Sequence, residues 1–209
     1  MLIKWIVAEV SREKCESFSE AQRSRTDLRV FTGFVSQVGG WVQQCAGRAV
    51  ILACWRDTLS YDAFTQNRRD ALAAKETGAD KAAETLLGSV ITTINERDQS
   101  VIFDQATFLR VSDVTLRPDF SPIFMAAQMQ IWFPALGSSP GMVGALLSRI
   151  TGHKERFLLA TFWRDAASCD IFRHEIYPAL YDRAKPDVYI QRLTIYLVPL
   201  ESDWTFIGE

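Results

Sequence analysis

Residues 2–10 (Leu2-Ile3-Lys4-Trp5-Ile6-Val7-Ala8-Glu9-Val10) are dense in β-branched and aromatic side chains and predict a strand. Ser11 then stands as an N-cap before a helix over Lys14 to Arg25. Gly33 to Gln44 and Arg48 to Arg56 flank Cys45-Ala46-Gly47, the pattern of a hairpin turning at Gly47, and Met142 to Ile150 and Arg156 to Trp163 flank Gly152 in the same way. A helix is predicted after each hairpin. Asp57, Thr58 or Ser60 can cap the first, and Asp165 or Ser168 the second, where Phe172, Ile176 and Ala179 or Leu180 make an inward stripe. Closing strands are predicted over Ser89 to Ile94 and Val188 to Leu197.

The two sets of elements align. Cys54-Trp55-Arg56-Asp57-Thr58-Leu59-Ser60-Tyr61-Asp62-Ala63-Phe64 matches Phe162-Trp163-Arg164-Asp165-Ala166-Ala167-Ser168-Cys169-Asp170-Ile171-Phe172 at six of eleven positions under a shift of 108, where chance would give roughly one. The same shift pairs Gly33 with Gly141, Val35 with Val143 and the apolar run 49–53 with 157–161. The chain therefore reads as an α+β protein of two tandem ferredoxin-like βαββαβ units, over residues 1–97 and 98–209, joined through the polar stretch Asn95 to Ser100. Ala49 to Trp55 and Phe157 to Trp163 are almost unbroken apolar runs rather than alternating ones, so both faces of these strands must be buried. One face has its own helices. The other calls for the second unit's sheet, which predicts a pseudo-twofold α+β barrel within a single chain, a monomer that leaves room for a weaker homodimer.

Charge and motifs narrow the chemistry. With 23 Lys+Arg against 25 Asp+Glu there is no basic footprint for nucleic acid. The longest apolar run is seven residues, far short of the roughly 20 of a membrane span. Lys4 and Glu9 interrupt what would be a signal-peptide core, so a cytoplasmic location is expected. Cys15, Cys45, Cys54 and Cys169 show no CxxC spacing, and His153 and His174 are 21 residues apart, so no metal site is expected. No nucleotide loop or nucleophile elbow is present, the stretch 137–141 reads as a turn, and no cofactor is expected.

The repeat and its paired sheets resemble the dimeric α+β barrel superfamily, which includes the antibiotic biosynthesis monooxygenase-like proteins. The first unit is similar to the YdbC-like family of unknown function, through Met1 to Ile6, Gly33-Phe34, Gln37, Gly39-Gly40-Trp41 and Trp55. The superfamily resemblance implies a pocket between the sheet and the two helices of a unit. Its lining would be Trp5, Gln37 and Phe64 in the first unit, and Phe172 and Tyr177 in the second. Large aromatics also dominate cores, so packing is the competing reading for Trp5 and Phe64, as it is for the paired Trp55 and Trp163. In haem-degrading members an axial histidine follows the helix aromatic by about ten residues; Ala74 and Asp182 stand there, so haem is not expected. His174 falls about 200° around the helix from Phe172, which points it to solvent. The function implied is that of a cofactor-independent monooxygenase or isomerase-like enzyme acting on a small apolar or aromatic molecule. The alternative is a binding or structural protein that keeps only the fold. Of the two units the first is expected to hold the working site, because its segment Ala71 to Leu87 reads either as a further helix covering the cleft or as a longer surface helix broken near Gly78.

Overall fold

The computed structural model describes residues 1–75, 81–94 and 99–208, with the backbone alone described at 67–75, 81–83 and 99–101. Strand β1 (Leu2–Glu9) leads through a 3-10 turn into helix α1 (Cys15–Arg23), the hairpin β2 (Phe34–Trp41) and β3 (Arg48–Trp55), helix α2 (Thr58–Lys75) and strand β4 (Lys81–Ile94). A short helix α3 (Gln99–Gln105) follows, then β5 (Phe108–Leu116) and helices α4 (Ser121–Ala127) and α5 (Phe133–Gly137). The hairpin β6 (Met142–Ile150) and β7 (Arg156–Trp163), helices α6 (Ala166–Ile171) and α7 (Tyr177–Ala184), β8 (Ile190–Pro199) and the short β9 (Phe206–Ile207) complete the chain. Among the described residues no helix is long and apolar enough to cross a membrane.

Every strand pair is antiparallel, and the strands form one sheet in the order β8-β5-β7-β6-β4-β1-β3-β2-β9. The two groups of four have the same internal order, β4-β1-β3-β2 and β8-β5-β7-β6, and are joined by pairing of β4 with β6. In a flat sheet β8 and β2 would lie seven strand spacings apart, about 34 Å at about 4.8 Å each. Instead the Gln43 N–H donates to the Leu197 carbonyl and the Glu201 N–H to the Gly39 carbonyl, both at 2.9 Å. The sheet is therefore strongly curled. Gly40 permits this approach, since a Cβ there would stand 2.1 Å from the Pro199 carbonyl oxygen.

Burial follows the two faces of this curl. Alternate residues Ile3, Trp5 and Val7 of β1 join Leu109 and Val111 of β5, Leu158 and Phe162 of β7 and Val198 of β8 in one interior cluster drawn from both halves of the chain. Helix α3 adds Ile102 and Phe103 to that interior, with the Phe103 ring 5.1 Å from Phe162. On the outer face, Leu2, Phe34, Trp55 and Phe64 pack together in the first half, and Phe108, Trp163, Phe172 and Leu197 in the second. Seven of the eight residues of β3 and all of β7 are buried, as their unbroken apolar runs require.

The repeated Trp-Arg-Asp motif has a common structural role in both halves. The Arg56 N–H donates to the Gly33 carbonyl and the Arg164 N–H to the Gly141 carbonyl, at 2.7 and 2.8 Å. Asp57 and Asp165 accept from the backbone N–H of Ser60 and Ser168, capping the helices that follow. Gly33 and Gly141 have φ of +82° and +75°, and a Cβ on either would fall 2.2 Å from the serine hydroxyl of that cap.

Three expectations need correction. Ala71 to Leu87 is neither a covering helix nor one long surface helix: α2 ends at Lys75, and Lys81 to Leu87 already run as strand against β1, from Lys81 opposite Glu9 to Leu87 opposite Lys4. Pairing with an exposed strand edge has overridden the helical composition of this segment. The final strand begins at Ile190 rather than Val188, because Pro186 opens a 3-10 turn. Of the expected linker, Gln99 and Ser100 belong to α3, while the expected boundary at 97/98 lies outside the described residues.

Candidate functional site

Strand β5 places Arg110, Ser112 and Val114 on the outer face of the second half, beneath the helices that follow β5 and β7. A cleft opens there. It spans about 540 Å³ counting the open solvent at its mouth, and its enclosed part is far smaller. Its walls are Phe124, Trp132, Leu159, Phe172 and Tyr177, closed at one end by Tyr189 and Ile190. The Trp132 and Tyr177 rings lie 5.2 Å apart, Phe172 is 6.4 Å from Tyr177, and Phe172 rests on Trp163 at 5.4 Å.

Both covering helices are locally widened at this cleft. A π-helical turn over Gln128–Trp132 separates α4 from α5, and another over Phe172–Ile176 separates α6 from α7. In each, a backbone N–H reaches back five residues, Phe133 to Gln128 and Tyr177 to Phe172. The next residue is proline in both cases, Pro134 and Pro178. A proline ring within a helix clashes with the carbonyl four residues earlier, here Gln130 and His174, and the extra residue in the turn relieves that clash. Such turns cluster at functional sites. These two carry Gln128, Trp132 and Phe172 into the cleft, with Tyr177 immediately after.

Arg110 is the unusual group. It is 5% exposed, and its Nη1 donates to the Ser112 hydroxyl at 2.9 Å. Its guanidinium carbon lies 5.9 Å from the centre of the Tyr177 ring. No carboxylate among the described residues forms an ion pair with it, and burial pushes its pKa below the usual arginine value. Three buried polar atoms of the cleft, Arg110 Nε, Gln128 Oε1 and the Tyr189 hydroxyl, have no hydrogen-bond partner in the protein. Desolvation raises the Tyr177 and Tyr189 phenols. It also pushes the Cys169 thiol up to about 11 and Cys54 up to about 12, so neither cysteine is a ready thiolate.

The residues singled out in the sequence fall in three places. Phe172 and Tyr177 line the cleft. Trp5 is fully buried on the opposite, interior face, edge-on to Tyr196 at 5.5 Å. Phe64 packs tilted on Trp55 at 4.8 Å and edge-on to Phe31 at 4.9 Å in the first half's outer core. Gln37 is 2% exposed, sits opposite Ala53 and Phe206, and has a buried Nε2 with no partner. Gln37 thus shares the outer face with Phe64, while Trp5 lies across the sheet from both. His174 is exposed. Among the described residues no cluster of three or more His, Cys, Asp or Glu is arranged to hold a metal.

Residues 2–86 match the profile of a domain of unknown function (DUF4937). The uncharacterized protein YdbC of Bacillus subtilis (strain 168) is 29% identical over 123 residues, which is 58% of this chain and 97% of that protein. Among solved structures, a protein of Fusobacterium nucleatum provisionally described as a monooxygenase superposes with a TM-score of 0.77 at 15% identity, over 95% of this chain and 91% of its own. Another so described, from Lactobacillus acidophilus NCFM, gives 0.68 at 13% identity over 100% and 99%. An anthrone oxidase-like protein gives 0.68 at 11% over 99% and 93%. The fold thus resembles that of these three structures, and the likeness to YdbC is partial.

Proposed function

We propose that the protein binds a small, flat, largely apolar molecule in the cleft of its second half and acts on it oxidatively. The cleft carries this reading: an aromatic-lined space between sheet and helices, with a few polar groups among its lining residues. The monooxygenase and oxidase names of the structural neighbours point the same way. The lining offers an arginine and tyrosines rather than a carboxylate or imidazole, which favours a second reading, a binding protein without turnover. Incubation with anthrone under air separates the two. Oxygen uptake at least tenfold above the protein-free rate is expected, together with a ligand-bound species in native mass spectrometry. Binding without uptake gives the second reading, and the absence of both binding and uptake overturns both readings.

The same proposal takes residues 1–97 and 98–209 as two copies of one duplicated ferredoxin-like unit, paired as a pseudo-twofold barrel. The shared strand order and the matched Gly33/Gly141 and Asp57/Asp165 contacts support it. Because the partner sheet is in the same chain, light scattering is expected to give a mass near 23.6 kDa. An obligate dimer would overturn this arrangement.

A further inference from the structure

We infer that the ligand of this cleft is an aromatic carboxylate, held with its carboxylate against Arg110 and its ring against the aromatic lining; the inference rests on the reading of the cleft as a small-molecule site. Arginine stays protonated in proteins, so burial of Arg110 places a full positive charge beneath the helices. A buried cation is normally matched by an acid, because the cost of removing it from water is several kcal/mol. Here the other charged group that acts on it is Arg173, a second cation that makes the placement less favourable still. Ser112 accepts one of its hydrogen bonds, and a ring face at 5.9 Å offers only a weak cation attraction.

The neighbouring polar atoms suit such a ligand. The Tyr189 hydroxyl is a donor without an acceptor in the protein, and it lines the same space as the Arg110 Nε–H. A guanidinium and a phenol hydroxyl among the same lining residues supply the kinds of donor that charge-assisted recognition of a carboxylate uses. The Gln128 amide can present either its oxygen or, turned over, its NH2 group to a substituent beside the carboxylate. Phe124, Trp132, Phe172 and Tyr177 give the lining an aromatic surface against which a ring can pack.

The first half provides the control. Arg110 stands opposite Thr161, whose counterpart under the shift of 108 is Ala53, and the residue opposite Ala53 is Lys4. Lys4 lies over Tyr61 at 5.9 Å and takes no part in the cleft. Removing its charge changes the protein's net charge as much as removing that of Arg110.

Titration calorimetry at pH 7 with benzoate and with benzamide, its neutral counterpart of the same shape, tests the inference. In the unmodified protein benzoate is expected to bind at least tenfold more tightly than benzamide. Arg110→Met should abolish that preference and raise the melting temperature of the free protein, because an unmatched buried charge is lost; Lys4→Met should leave the preference intact. Equal binding of the two probes, or a preference that survives Arg110→Met, overturns the assignment to Arg110 and leaves the cleft as a site for neutral ligands. Failure of both probes to bind overturns the carboxylate inference and the reading of the cleft together. The comparison in the unmodified protein decides the matter even if Arg110→Met does not fold.

Discussion

Arg156→Ala is expected to destabilise the protein by about 3–5 kcal/mol, the usual loss when one partner of a buried ion pair is removed. Arg156 sits at 8% exposure at the start of β7 and holds two carboxylates at once. Its Nε and Nη2 donate to Asp113 on β5 at 2.9 and 2.5 Å, and its Nη1 and Nη2 to Glu84 on β4 at 2.6 and 2.8 Å. The fork thus links the two halves of the sheet. Asp113 is 3% exposed, so without Arg156 it would remain buried as an uncompensated anion. Exchanging both buried partners for apolar side chains, Arg156→Met with Asp113→Leu, should cost less than the single change. Urea unfolding at pH 7 measures both; a loss under 1 kcal/mol for Arg156→Ala would remove the link from the stabilising contacts. The bridge also sets an acid limit. The Arg156 hydrogen bond holds the Glu84 carboxyl below its ordinary value. Its contribution is therefore complete above the ordinary carboxylate range and is lost as pH falls through the lowered folded-state value.

Trp163→Ala is expected to cost a similar amount, roughly 3–5 kcal/mol, as deletions of large buried aromatics do. Trp163 is fully buried at the end of β7, packed on Phe172, and its indole N–H donates to the Thr161 hydroxyl at 3.0 Å. The substitution would open a cavity and strip Thr161 of a partner in one step. Since Phe172 is a wall of the cleft, the loss should also loosen the cleft floor. Denaturant unfolding checks the magnitude, and a change below 1 kcal/mol would mean that the indole is not part of the core.

Strand β1 and the two hairpins were legible in the sequence because their signals are local, whereas no residues were assigned to β5. Gly47 and Gly152 mark turns through a backbone that side chains resist, and the unbroken apolar runs of β3 and β7 require cover on both faces. What escaped depends on distant partners. Lys81 to Leu87 has a helical composition and becomes strand only because β1 has an edge to pair with. The two-residue β9 exists only because β2 offers the other edge, to Gln37 and Ser36. Arg110 was hidden for a related reason: in Phe-Leu-Arg-Val-Ser-Asp-Val it alternates like a solvent-facing residue, and only the covering helices make it buried. Of the candidate site, Phe172 and Tyr177 were visible through the repeat and the helix that follows it. Gln128 and Trp132 come from a segment with no counterpart signal, although Phe-Pro inside an apolar stretch was the available clue, and Tyr189 fell within the predicted closing strand without being marked as a site residue.

Those two prolines give the cleft a form of heredity separate from its lining. Its width is written into the main chain, by two positions that lack an N–H and two turns that carry a surplus residue. A lineage could narrow or erase the cavity by dropping a single residue from either turn while every aromatic wall stayed unchanged in kind, and could widen it again by regaining one. Relatives with the same aromatic set can therefore differ in what they admit, and insertions and deletions of one residue around Pro134 and Pro178 would record that difference better than substitutions do.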